Sequence, residues 1–259
     1  MDFEGVVLDL DGTVYRGDTL LTGAREAIAW FRERGLGVAF VTNNPTRGAA
    51  GYVERLAAFG IDATAQSVLS AGTVTAEYLA THHPEAAIFV VGSDGLCEQM
   101  RAVGLRLTTD PDAAEVVITS HDYDFDYETL TQALWALETA DVFYGTDPDR
   151  TYPGGDGRPY PGSGAITRSV AGVADRQPDR VLGKPSSVVA DLVAERLAPL
   201  ERCLVVGDGL DTDIALGEQA GATTVLVTSG RSDRADVANA DVTPDHVVET
   251  LGDVPGLFE

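Results

Sequence analysis

Lysine is almost missing from this chain. Lys184 is the one lysine among 18 basic side chains, which face 41 acidic ones, for a formal net charge of −23. A field of that sign repels nucleic acid and anionic membranes, so neither is an expected partner. Cysteine is scarce as well. Cys97 and Cys203 supply no disulfide framework and suit a reducing compartment. No apolar run approaches the ~20 residues that span a bilayer, and the N-terminus lacks a signal-peptide layout. A cytoplasmic setting is the expectation. The four histidines, His82, His83, His121 and His246, come without cysteines at ligand spacing, which argues against zinc. Gly162-Ser163-Gly164 lacks the third glycine of a dinucleotide fingerprint, and Lys184 lacks the glycine and hydroxyl of a Walker A loop.

What is present begins at residue 5. The apolar run Gly5-Val6-Val7-Leu8 delivers Asp9-Leu10-Asp11-Gly12-Thr13. Carboxylates two apart on an extended strand share a face. Such a pair can seat Mg²⁺, and one of them can act as a nucleophile. Asp-Gly is also common in plain turns, so the string needs company. Val38-Ala39-Phe40-Val41 runs into Thr42-Asn43-Asn44-Pro45, and Cys203-Leu204-Val205-Val206 runs into Gly207-Asp208 through Asp213. The lone Lys184 stands in Leu182-Gly183-Lys184-Pro185. Lysine is a compact point charge where arginine is a planar fork, so keeping one lysine suggests a place where arginine does not serve. Acids, a hydroxyl and a lysine at the C-terminal ends of apolar strands collect at the edge of a parallel sheet where ligands bind.

These four strings, in this order, resemble the haloacid dehalogenase (HAD) superfamily, and most closely its subfamily IIA of NagD-like, p-nitrophenyl and phosphoglycolate phosphatases. Tyr15-Arg16-Gly17 and the stretch from Gly145-Thr146-Asp147-Pro148-Asp149 to Pro161-Gly162-Ser163-Gly164 support the subfamily. The resemblance implies an α/β fold, a doubly wound parallel-sheet Rossmann-like core with an inserted α/β cap of the C2 type. Only 28 residues separate Thr13 from Thr42, but 141 separate Thr42 from Lys184, far more than one crossover needs. The cap is therefore expected over 78–178, with the core in 1–77 and 179–259. Alternating patterns predict core helices over Gly23–Arg34, Ala49–Phe59, Ser187–Leu197 and Asp211–Ala220, and strands over Phe3–Leu8, Gly37–Val41, Cys203–Val206 and Thr223–Val227. In the cap they predict strands Ala87–Val91 and Val116–Thr119 and a helix Tyr127–Thr139.

The roles carried over from the family are specific. Asp9 attacks phosphorus to form an aspartyl-phosphate. Asp11 is general acid and then general base. Thr42, with Asn43 and Asn44, holds phosphoryl oxygens, and Lys184 neutralises their charge. Mg²⁺ falls to the Asp9 carboxylate, the Asp11 carbonyl and Asp208, with Asp213 a ligand or an orienting group and Asp211 a cap for the next helix. Tyr152 is a candidate substrate contact in the cap, and Asp147 stands where relatives usually carry Asn. The implied activity is hydrolysis of a small phosphomonoester, with a homodimer through the cap left open. A phosphate sensor with weak turnover, or a phosphotransferase or phosphomutase, shares every motif and remains the alternative. The missing lysines and pI near 4.3 also fit the surface of a salt-adapted protein.

Overall fold

A computed structural model describes residues 3–154 and 158–258. The chain forms two compact units: Met1–Thr42, Ala49–Leu69 and Lys184–Glu259 make the first, and Asn43–Gly48 with Ser70–Gly183 make the second.

The first unit is built on a six-stranded sheet. Its order is His246–Val248, Thr223–Val227, Cys203–Gly207, Gly5–Leu8, Gly37–Thr42, Val68–Ser70. The strands from His246–Val248 across to Gly37–Thr42 pair in parallel, with Val7 between Val205 and Ala39. Every residue of Gly5–Leu8 is buried, as a central parallel strand covered on both faces requires. Helix Ala24–Glu33 shows how the cover is made. Ala24, Ala27, Ile28 and Phe31 repeat at helical spacing and are all buried, so one stripe enters the core. Gly35, at φ +77°, then ends the helix, and Leu36 N–H returns to Phe31 O at 3.1 Å in the usual left-handed C-terminal motif.

The second unit has its own parallel sheet, in the order Arg180–Val181, Val142–Gly145, Val116–Thr119, Ala87–Val91, Arg106–Thr108. Its core gathers Phe89, Val91, Val117 and Phe143 under the helices Tyr127–Thr139 and Ser163–Ala174. Asp126 caps the first of these by accepting from Thr129 N at 2.8 Å, one of the four donors a helix start leaves free. A short antiparallel hairpin joins Thr151–Pro153 to Pro159–Pro161.

The compact units break at 69/70 and 183/184, near the expected 78 and 178. Position 78 falls inside helix Ala71–His82, whose Thr73 hydroxyl bonds Gln99 at 3.3 Å. The whole helix therefore packs in the second unit. Position 178 precedes strand Arg180–Val181, which pairs with Tyr144 and Gly145. Residues 43–48 join the second unit too, where Gln99 donates to Pro45 O at 2.9 Å. Sequence periodicity marks where an element lies, but not which neighbour its buried face will choose.

The predicted helix over Asp211–Ala220 is also different in kind. Leu210–Ile214 forms one wide π turn and only Ala215–Gln219 is α-helical. Such turns are frequent at functional sites. Among the described residues no helix is long and apolar enough to cross a membrane.

Candidate active site

Three strands of the first unit end at one point. Gly5–Leu8 delivers Asp9, Cys203–Gly207 delivers Asp208, and Gly37–Thr42 ends on Val41 and Thr42. This is the carboxyl edge of the sheet, and the chain order reverses there between Gly5–Leu8 and Cys203–Gly207, the position where open α/β sheets bind ligands.

Lys184 organises the site. Its Nζ donates to Asp9 Oδ1 at 2.6 Å, to Asp213 Oδ1 at 2.6 Å and to Val41 O at 2.9 Å. All three protons of the ammonium are thereby engaged in a fixed geometry. The side chain is 2% exposed. Burial alone disfavours its charge, but Asp213 and Asp9 outweigh burial and hold the ammonium above the usual lysine range. Burial pushes Asp9 up, with Lys184 pulling it back and Asp213 and Asp208 adding to the rise. Asp208 is raised to about 6, by burial first and by Asp213 second. Three buried carboxylates around one ammonium leave excess negative charge, a cost that a bound cation relieves.

The donor set fits such a cation. Oxygens of Asp9, Asp208 and Asp213 lie within 4.8 Å of one another, and hard oxygen donors suit Mg²⁺. Asp9 Oδ2 is buried with no hydrogen-bond partner, although buried polar atoms are rarely left so. Asp213 Oδ2 already accepts from Gly209 N at 3.0 Å, and its Oδ1 holds Lys184. Asp208 Oδ2 accepts from Arg231 N at 2.6 Å.

Two glycines let the backbone come this close. Gly12 turns the chain at φ +89°, and a Cβ there would run into the Asp208 carboxylate. A Cβ at Gly230 would meet the same group. Ser229 then ties the loops together by donating to Gly12 O at 2.7 Å.

The structure thus unites Asp9, Lys184, Asp208 and Asp213, with Thr42 buried at the end of its strand. Asp11 lies just beyond the strand, exposed and bridged to Tyr15. Asp211 does not cap a helix. It pairs with Arg231, because the wide turn has Gly209 at its N-cap and no side-chain cap bond. Asn43, Asn44 and Tyr152 belong to the second unit. Asn43 is buried there, whereas Asn44 Oδ1 accepts from Thr46 N at 3.1 Å and the Thr46 hydroxyl at 2.7 Å, an Asx turn. Tyr152 is half-buried between the rings of His121 and Tyr160. Sequence reasoning missed Ser229, Gly230 and Arg231. Their signal was position, since they follow the apolar strand Thr223–Val227 at the same edge.

Comparison with known proteins places the chain in a family. Residues 6–106 match the haloacid dehalogenase-like hydrolase family, and residues 181–254 match a second HAD-hydrolase-like family. Sugar-phosphatase AraL of Bacillus subtilis is 30% identical over 256 residues, covering 98% of this chain and 93% of that protein. Glycerol-3-phosphate phosphatase of Homo sapiens is 32% identical over 292 residues, covering 98% and 90%. The solved structure of p-nitrophenyl phosphatase from Archaeoglobus fulgidus superposes with a TM-score of 0.93 at 33% identity, over the whole of both chains.

Proposed function

The chain belongs to the haloacid dehalogenase-like hydrolases, in the subfamily of NagD and the p-nitrophenyl phosphatases, and we propose that it hydrolyses small phosphomonoesters through a phosphoryl group carried on Asp9. The observation that carries this reading is the Lys184 ammonium, 2.6 Å from Asp9 Oδ1, beside the unpartnered Asp9 Oδ2. One oxygen of the nucleophile is held, and the other is left for chemistry.

In the first half-reaction the Asp9 carboxylate attacks phosphorus and the ester P–O bond breaks. Asp11 donates a proton to the departing oxygen. In the second half-reaction Asp11 takes a proton from water, the water attacks phosphorus, and inorganic phosphate leaves with Asp9 regenerated. Thr42 and the backbone N–H groups beyond it hold phosphoryl oxygens. Lys184 offsets the negative charge of Asp9 and the transferring group from a fixed position, so no reorganisation is needed at the moment of transfer. Mg²⁺ would be held by Asp9, the Asp11 carbonyl and Asp208, with Asp213 orienting Lys184 and the turn at Gly209. When bound it would neutralise phosphoryl charge as a Lewis acid.

The second unit acts as the specificity cap in this reading, with Tyr152 as a candidate contact. The named relatives put sugar phosphates and glycerol phosphate first in a substrate panel. The surface composition is that of a salt-adapted protein. The test is phosphate release from p-nitrophenyl phosphate with and without Mg²⁺. Turnover that needs Mg²⁺ and vanishes in Asp9→Asn supports the reading. Full turnover in Asp9→Asn removes Asp9 from its role.

A further inference from the structure

At the carboxyl edge of its own sheet, the second unit buries an acid on which, among the described residues, no cation is seen to bear. Asp147 follows strand Val142–Gly145 and is 2% exposed. Its Oδ2 lies 3.0 Å from the Thr146 hydroxyl, its Oδ1 accepts from Asp149 N at 3.2 Å, and the Ser163 hydroxyl also bonds it. Asp149 is the charged group that bears on it, and it is of the same sign. The Thr146 hydroxyl also lies 2.9 Å from Ser120 Oγ. The three side chains form a short proton-ordered chain, which runs from Asp147 toward Ser120 when the acid is protonated and reverses when it is ionised.

This cluster adjoins the segment that leads to the catalytic lysine. Gly183 N–H donates to Thr146 O at 2.6 Å. A Cβ on Gly183 would lie 2.7 Å from Thr146 O, 2.8 Å from Asn43 Oδ1 and 3.2 Å from Asp147 Cβ. Only glycine fits there. The residue after Gly183 is Lys184, and the residue before Asn43 is Thr42, so the chain leaves this cluster for the catalytic set in one peptide bond on each side.

We propose that Asp147 is a positioning residue for the phosphatase reaction, whose neutral carboxyl fixes the Thr146–Gly183 backbone contact from which the chain enters Lys184. This rests on the phosphatase reading above. Burial, with Asp149 adding to it, raises the Asp147 carboxyl to about 7. Ionisation therefore comes near neutrality, and it places beside the Gly183 peptide an anion held by the Asp149 N–H and two hydroxyls but with a like charge, Asp149, bearing on it. A charge so placed reorganises the contact, because a buried anion facing a like charge is among the costliest groups a protein can hold. The lysine delivered by that peptide has three fixed bonds to lose.

The test compares the wild type with Asp147→Asn, a permanently neutral isostere, and Asp147→Ala, using p-nitrophenyl phosphate with saturating Mg²⁺ well below the melting temperature. The Asn variant should keep kcat within about twofold of wild type at pH 6 and exceed it several-fold at pH 8. The Ala variant should lose on the order of tenfold at both, as misplacement of a supporting group does. KM should change less than kcat, since substrate contacts are untouched. A ratio of Asn to wild type that is the same at both pH values overturns the proposal, as does an Asn variant no better than Ala. A second readout needs no turnover. The folded chain binds the Asp147 proton more tightly than the unfolded chain, so wild-type stability falls as pH rises from about 4 to about 7 and then levels. The melting temperature of Asp147→Asn, minus that of wild type, should grow over that window by several degrees. A difference independent of pH also overturns the proposal. If no chain turns over while this melting signature appears, the phosphatase reading fails and the neutral carboxyl stands.

Discussion

The two units carry the same kind of parallel sheet and bury polar groups at the same edge, yet the chemistry of those edges is opposite. In the first unit the edge is ionic: Asp9, Asp208 and Asp213 surround a lysine that saturates its hydrogen bonds. In the second it is a set of hydroxyls, Ser120, Thr146 and Ser163, around one acid that has no counter-ion among the described residues. Topology therefore places a site, and side-chain charge decides its task. A phosphoryl group needs fixed positive charge, and Lys184 offers that at the first edge. The second edge offers hydrogen bonds that hold backbone in place. Among the described residues, the exposed large apolar side chains other than Leu257 also lie on the second unit, among them Tyr123, Tyr127, Trp135 and Tyr160.

The contrast breaks most completely if the ionic edge loses its point charge. Lys184→Arg keeps the charge but replaces a compact ammonium by a fork that cannot meet Asp9, Asp213 and Val41 O together. A loss of kcat on the order of a hundredfold is expected, about the worth of one preorganised contact. Near wild-type kcat in the Arg variant would mean that the lone lysine is an accident of composition. A smaller effect should follow from Arg231→Ala. Its N–H stays, but the side chain that ties Asp211 and Thr212 to the loop over Asp208 is lost. Apparent Mg²⁺ affinity should fall roughly tenfold, as for other groups that orient a metal ligand, with kcat at saturating Mg²⁺ little changed. An unchanged Mg²⁺ requirement would detach that loop from the metal site.

The smallest effect belongs to the whole surface. With a net charge of −23, dilution from molar KCl lengthens screening from ~3 Å at 1 M to ~30 Å at 0.01 M. Self-repulsion then acts across the molecule, and the melting temperature should drop by several degrees. Millimolar Mg²⁺ should restore part of it in wild type, and much less in Asp9→Asn, by binding the folded state. A melting curve indifferent to salt would remove the salt-adapted reading and leave the site as it is.

The sequence was most legible where the physics is local. Helix Tyr127–Thr139 and the strands Ala87–Val91, Val116–Thr119 and Thr223–Val227 lie at the expected residues, because apolar spacing and flanking polar residues bound them. Three of the four motif strings could be found because each ends an apolar strand, and the fourth because it holds the one lysine of the chain. What escaped depends on approach between distant segments. Nothing in Asp211-Thr212-Asp213 foretells that Arg231 will take Asp211 from its helix, or that the turn will widen into a π turn. Helix Ala71–His82 falls in the second unit, where its Thr73 hydroxyl bonds Gln99, a pairing between segments that periodicity does not show. The sequence marks Asp147 as an acid where relatives usually carry Asn, but only its burial beside Gly183 shows what that acid touches.

The central claim is that Asp9 carries the phosphoryl group. It is tested most directly by acid-quenching the enzyme during turnover of p-nitrophenyl phosphate with Mg²⁺ and mapping added phosphoryl mass by peptide mass spectrometry. The account predicts one phosphoryl group on the peptide that contains Asp9, lost on treatment with hydroxylamine and missing in Asp9→Asn. Steady turnover with no phosphoryl on that peptide at any quench time, or the group on another side chain, would contradict it.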